Sequence, residues 1–249
     1  MGKLHRMAAV CACLTGLISL SAHAVPVSGQ GTWETTLLAR DFDGDTNTIE
    51  GYYDTVLGIT WLAYTSSAGT FNWEDANAWA AGLVVNDITN WRLPIVDSGS
   101  GCNTGYGGTN CGYNVLTTDG TTVYSEMASM FYDTLANKGQ FASLEDDIAG
   151  IFQTGWGLSN TGPFDNLMSA GYWPGTSISD VLARDFYFSS GNQGVTGKTS
   201  NLYAWAVHDG DVGMAVVPLP AALPLFGTGL GIMGFIGWRR KRRMAAEAA

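Results

Sequence analysis

The C-terminal segment is the feature that most constrains this 249-residue chain. Residues Ala221 to Trp238 carry no charge, and five consecutive cations, Arg239 to Arg243, follow them. A helix of about 18 residues, at about 1.5 Å each, just spans the hydrocarbon core of a bilayer. Cations directly after such a span stay on the cytoplasmic side. The sequence therefore predicts a transmembrane helix at 221–238, with the residues before it on the outer side.

The N-terminal segment has the pattern of a secretory signal peptide. Lys3 and Arg6 precede an apolar run from Met7 to Leu20, and an Ala-His-Ala cleavage site ends at Ala24. This order of charged, apolar and small residues is typical of exported proteins. About 190 residues remain between the two terminal segments, which suits one domain with a full core.

The C-terminal segment resembles the PEP-CTERM sorting signals of Gram-negative bacteria. A Pro-rich motif, Val217-Pro218-Leu219-Pro220, precedes the apolar span and the basic stop. The resemblance implies an exosortase as partner, a membrane transpeptidase that cuts near the motif. Leu219 stands where the namesake motif has Glu. The alternative is a plain C-terminal anchor that is never cut.

The charge of the predicted domain differs from that of the whole chain. The chain has a formal charge of −10, but seven of its 12 basic residues lie in the two terminal segments. Five cations then face 21 acidic residues, a formal charge of −16. This excess argues against binding to nucleic acid and to anionic membrane surfaces.

Two cysteines, Cys102 and Cys111, remain once the signal peptide is removed. They frame a Gly- and Asn-rich loop in a chain predicted to enter an oxidising compartment, so we expect them to form a disulfide. Closing so short a loop would stabilise the fold by about 2–3 kcal/mol. Two thiolates without further ligands do not predict a metal site.

An acidic loop places Asp41, Asp43 and Asp45 at alternate positions. Oxygen ligands at this spacing suit calcium. Thr46 and Tyr52 stand where a calcium-binding EF-hand loop needs Gly and Glu. The sequence therefore favours a solvated acidic turn, and a weak calcium site is the alternative.

Periodicity predicts three helices. The first, Asn72 to Val85, has Asn72 as its cap and an apolar stripe; the second, Ser125 to Asn137, turns Met127, Met130, Phe131 and Leu135 inward; the third, Ser143 to Phe152, turns Ile148, Ile151 and Phe152 inward. Strands are predicted at Trp33 to Arg40, at Gly51 to Ala63 (a strand or hairpin), near Tyr172, and at 184–189, 202–208 and 212–217.

The order of the motifs resembles a bacterial family, the C-terminal domain of collagen-like adhesins (Lcl C-terminal domain). The matching motifs are Y-Y-D-T-V-L-G-I-T-W-L from Tyr52, the helix from Asn72, N-W-R-L-P from Asn90, G-P-F-D-N-L from Gly162, G-Y-W-P-G-T from Gly171 and Y-A-W-A-V from Tyr203. The resemblance covers residues 33–216. It implies an α+β, C-type-lectin-like domain of two to three helices with mostly antiparallel strands. Pro174 stands where the family more often has Ser.

Several residues are candidates for a chemical or binding role. Arg92, within Trp91-Arg92-Leu93-Pro94, could clamp an anion; the favoured interpretation is a structural Arg that binds backbone carbonyls and a carboxylate such as Asp54. His208 is predicted as an exposed residue at a strand end, because no nucleophile elbow accompanies it. The expected catalytic set is therefore none. Aromatic rings in Gly-rich loops are candidate sugar contacts: Tyr106, Trp156, Trp173, Tyr187 and Tyr203.

These observations predict an exported, non-catalytic protein of the envelope or extracellular matrix that binds exopolysaccharide or another surface polymer. An enzyme on a C-type-lectin-like scaffold is one alternative. A passive, self-associating matrix subunit is another. No cofactor is expected beyond weakly bound calcium.

Overall fold

The computed structural model describes residues 30–45, 47–65, 69–96, 125–142 and 144–215. The predicted signal peptide, the loop with Cys102, Tyr106 and Cys111, and the C-terminal segment with its sorting motif lie outside these ranges. Among the described residues no helix combines the length and the apolar character needed to cross a membrane. The described part has an α+β fold, with two sheets and a few short helices.

The first sheet has five strands in the order β8-β3-β2-β1-β9, and all its pairs are antiparallel. Its strands are β1 (Leu37–Asp41), β2 (Gly51–Asp54), β3 (Ile59–Leu62), β8 (Val207–Asp209) and β9 (Met214–Ala215). The β2–β3 pair shows that segment 51–63, predicted as a strand or a hairpin, is a hairpin. The turn between them depends on Asp54, whose carboxylate accepts the N–H groups of Val56 and Leu57.

The second sheet has four strands in the order β6-β5-β4-β7. Its strands are β4 (Gly171–Trp173), β5 (Leu182–Tyr187), β6 (Asn192–Gly197) and β7 (Tyr203–Ala204), and only the β4–β7 pair is parallel. Residues 202–208 were predicted as one strand. They instead supply β7 to this sheet and β8 to the other, because the chain crosses between the sheets at Trp205 and Ala206.

The helices are α1 (Trp33–Thr36), α2 (Trp73–Gly82), α3 (Glu126–Ala128, continued by a π-helical turn, Ser129–Thr134) and α4 (Leu144–Ala149). Helix α2 confirms the strongest local prediction. Asn72 caps it by accepting the N–H of Asp75 at 2.9 Å, and Ala76 and Ala80 of the predicted stripe are buried. Trp33 to Thr36 was predicted as part of the first strand and is a helical turn instead.

The core contains side chains from both sheets and from the helices, and many of them are aromatic. Trp61 and Trp205 contact each other with centroids 4.5 Å apart, and the indole N–H of Trp205 donates to the carbonyl of Leu62. The four inward residues predicted for the second helix are fully buried, as expected. The third helix differs: Ile148, Ile151 and Phe152 were predicted to face the core and are exposed.

Candidate functional site

Arg92 lies at the centre of the most extensive ion-pair network among the described residues. Its guanidinium donates to both carboxylate oxygens of Glu126, each at 2.8 Å, and to Asp209 at 2.6 Å. It also donates to the backbone carbonyl of Leu93. Arg92 thus binds a backbone carbonyl and carboxylates, as the structural interpretation expects, but its carboxylate partners are Glu126 and Asp209 and not Asp54, the example named from the sequence.

The electrostatics of this network are those of a structural anchor. Burial opposes the charged form of Arg92, but the hydrogen bonds with Glu126 and Asp209 raise its pKa further above its usual range. The same hydrogen bond from Arg92 lowers the pKa of Asp209. Glu126 also accepts the N–H of Ile95, so its carboxylate fixes the loop after Arg92. All three nitrogens of this guanidinium donate to the carboxylates of Glu126 and Asp209, so it is poorly suited to bind an added anion.

The other residues of the same motif are packing residues. Trp91, Leu93 and Pro94 are buried, and the Trp91 indole N–H donates to the carbonyl of Ile88. His208 is half-buried, and its ring lies edge-on to that of Trp91. Its Nδ1 atom is 2.6 Å from the backbone carbonyl oxygen of Asp209. The prediction of an exposed His208 is thus only partly right.

The acidic loop brings together Asp41, Asp43 and Glu50, with one oxygen of each within 4.8 Å of the others. Asp45, predicted as the third member, is not part of this group. Its carboxylate accepts from the backbone and side chain of Asn47, and these bonds lower its pKa. Glu50 was missed because it belongs to the start of the β2 hairpin, and only the β1–β2 pairing carries it back over the loop.

The structure places one of the predicted sugar contacts in the core. Trp173 is fully buried, and its indole N–H donates to the carbonyl of Phe71, so it offers no ring face to a ligand. This prediction is wrong because the Gly-rich sequence around Trp173 forms strand β4 inside the second sheet rather than a surface loop. Tyr187 and Tyr203 are half-buried on the same sheet, and Tyr106 lies outside the described residues.

Trp156 is the predicted contact that the structure places clearly at the surface. Its side chain is 42% exposed, and its ring lies 6.2 Å from that of Phe152, which is 57% exposed. Phe152 in turn rests on the buried ring of Phe141 at 5.2 Å. Ile148 and Ile151, which precede these rings in the chain, are also exposed, and we call the four exposed side chains Ile148, Ile151, Phe152 and Trp156 the 148–156 patch.

The backbone under the patch is tied to a neighbouring segment. Gln153 donates its N–H to Gln140, its side-chain amide donates to Gly139, and Gly157 donates to Lys138. The exposed rings are therefore mounted on a hydrogen-bonded support. Exposed apolar groups in a contiguous patch are typical of binding surfaces.

Comparison of the chain with protein-family models, curated proteins and solved structures gave no match.

Proposed function

We propose that this protein is exported and binds a polysaccharide of the cell envelope or extracellular matrix without catalysing a reaction on it. The observation that carries the proposal is the exposed pair of rings at Phe152 and Trp156 on the 148–156 patch. An aromatic ring offers a flat apolar face to the C–H bonds of a sugar, while water keeps contact with the sugar hydroxyls. The strongly acidic composition favours a neutral polymer over an anionic one.

The finer description of the fold belongs to the same proposal. The ordered motifs from Tyr52 to Val207 support an Lcl C-terminal-like, C-type-lectin-like domain over residues 33–216. The antiparallel sheets and short helices are compatible with such a domain.

We propose that the two terminal segments address the protein. The signal peptide would direct it across the inner membrane, and the 221–238 helix would hold it there until an exosortase cuts near Val217–Pro220. Mass spectrometry of the protein from its native host tests this route. A C-terminus near Pro220 supports sorting, and an intact segment through Arg243 contradicts it. The same spectrum, before and after reduction, tests the Cys102–Cys111 disulfide.

The binding proposal is tested by retention of the purified protein on the exopolysaccharide of its host. We expect Trp156→Ala and Phe152→Ala each to weaken binding at least about fivefold, since removal of an aromatic contact at the centre of an interface costs more than about 1 kcal/mol. Tyr64→Ala is the matched control, because Tyr64 is an aromatic residue that is 40% exposed outside the patch. Equal binding by all three variants would refute the role of the patch.

A second function, self-association into a matrix, is favoured by the aliphatic half of the same patch. Ile148 is 79% exposed and Ile151 is 57% exposed, and aliphatic side chains are more typical of protein–protein contacts than of sugar contacts. Sedimentation of Ile148→Ser with Ile151→Ser separates the two functions. Loss of assembly with retained polysaccharide binding would assign the aliphatic half to protein contacts.

A further inference from the structure

A cleft of about 640 Å³ lies away from the 148–156 patch, where the N-terminal end of α2 approaches the open end of the β5–β6 hairpin. This volume is within the range of small-ligand sites in proteins. The N–H of Trp73, at the start of α2, donates to the carbonyl of Lys198, and the N–H of Lys198 donates to the carbonyl of Val181. Backbone hydrogen bonds thus join the segments that form the walls.

The cleft is lined by polar side chains that make no hydrogen bond or ion pair with the described residues. No hydrogen bond or ion pair within that part of the chain engages the side chains of Glu74, Asp180, Lys198, Thr199 or Asn201, all of which line the cleft. By contrast, the side-chain amide of Asn72 in the same lining caps α2: its oxygen accepts the N–H of Asp75, and its NH₂ group donates to the Asp75 carboxylate. Convergent free polar groups in a concave site are the usual basis of ligand orientation.

Lys198 has a fixed place in this arrangement. Its ammonium group lies 4.2 Å from the centroid of the Trp73 ring, a cation–π contact that orients it without neutralising it. Two other cations of the domain, Arg40 and Arg92, are held in ion pairs with carboxylates. Lys198 makes no such ion pair with the described residues, so its ammonium group remains available as a hydrogen-bond donor at the cleft.

The free groups define the chemistry of the ligand. The carboxylates of Glu74 and Asp180 only accept, Lys198 only donates, and the hydroxyl of Thr199 and the amide of Asn201 do both. A partner for this set must present donors and acceptors on one compact frame. An anion would meet two carboxylates in a domain whose formal charge is strongly negative, and a cation would meet Lys198. Val181 and Leu182 add an apolar wall.

We propose that this cleft binds an uncharged sugar unit, whose hydroxyl groups both donate and accept and whose C–H face packs on the apolar wall. The choice of ligand class rests on the proposed function, whereas the site itself rests on the cleft and its free side chains. It would be a second contact with the polymer, separate from the 148–156 patch.

The test uses wild-type protein and four monosaccharide probes at equal ionic strength: glucose, N-acetylglucosamine, glucosamine as a cation and glucuronate as an anion. Backbone amide shifts in the ¹H–¹⁵N spectrum report the site without any variant. We expect glucose or N-acetylglucosamine to shift the amides of Lys198, Thr199 and Asn201 in a saturable way. Preferential binding of glucuronate or of glucosamine would overturn the ligand class, and no shift with any probe would overturn the site.

Variants then give the size of the effect. We expect Asp180→Asn and Asn201→Ala each to weaken sugar binding about fivefold or more, and Lys198→Met about tenfold. Lys138→Met is the control, because Lys138 is an exposed cation outside the cleft. Unchanged affinity in all three cleft variants, with unchanged thermal midpoints, would refute the assignment.

The two proposals fail in different ways. Sugar shifts at the cleft without retention on the host polymer would contradict the proposed function and leave the cleft site standing. Retention on the polymer that depends on Trp156, with no sugar response at Lys198, would support the proposed function and contradict the cleft site.

Discussion

Replacement of Glu126 by Gln is expected to destabilise the fold strongly, because this carboxylate accepts three charge-assisted hydrogen bonds. Two come from Arg92 and one from the N–H of Ile95, each at 2.8 Å. A Gln amide can accept through only one of its two terminal atoms, and its NH₂ group would face a donor. The change therefore leaves a charged donor or a backbone N–H without its partner.

The magnitude follows from the burial of the two side chains. The Glu126 side chain is 9% exposed, and that of Arg92 is 28% exposed. Breaking a fully buried ion pair by removing one partner costs about 3–5 kcal/mol. Since Arg92 is partly solvated and keeps Asp209, we expect a loss of about 2–3 kcal/mol for Glu126→Gln. Asp209 is 75% exposed, so Asp209→Asn should cost less than about 1 kcal/mol.

Urea unfolding of purified wild type and of both variants at pH 7 measures these differences, provided that the slope of the transition is unchanged. A third variant, Arg92→Met with Glu126→Leu, should recover part of the loss, because it removes the charge together with its partner. If Glu126→Gln costs no more than Asp209→Asn, the buried half of the network does not stabilise the fold as argued.

Three further outcomes are expected. Burial raises the pKa of Asp185 to about 6, above the usual value of about 3.9. Between these pH values the folded state binds a proton that the unfolded state lacks, so the free energy of unfolding falls as pH rises from about 4 to 6. Asp185→Asn should therefore raise Tm at pH 7 but not at pH 4. Gly31→Ala should cost at least about 2 kcal/mol more than Gly58→Ala, because both glycines have positive φ but a Cβ only at Gly31 would collide with a backbone carbonyl. If the acidic loop binds calcium, millimolar calcium should raise the Tm of wild type and of Asp45→Asn in thermal scans, but not that of Glu50→Gln. An equal response by the two variants would contradict a site that includes Glu50.

The elements that could be predicted from the sequence are those fixed by neighbours in the chain. Helix α2 begins where Asn72 caps it, and its buried positions follow the helical period. The same holds for the inward residues of the second helix, although that segment forms a three-residue α-helix followed by a six-residue π-helix. The β2–β3 hairpin likewise depends on a local turn at Asp54.

The features that could not be predicted depend on which distant segments meet. The ion pairs of Arg92 join residues 34 and 117 positions away, and a sequence contains many carboxylates that could serve. Periodicity likewise predicted that Ile148, Ile151 and Phe152 form one apolar surface of the third helix, but this helix ends at Ala149, before two of them. It could not tell whether another element covers that surface, and in the described structure they stay exposed.

The contacts that join the two ends of the described domain do not involve the predicted sorting segment. Strand β9 pairs with β1, so the last described strand lies beside the first one. Arg40, on β1, adds a bidentate ion pair to Asp211, just before β9, and the Arg92–Asp209 pair holds the end of β8. These contacts all lie before the predicted sorting motif at Val217. A cut near Pro220 would therefore remove none of them, and the contacts that close the first sheet would be the same in an anchored and in a released protein.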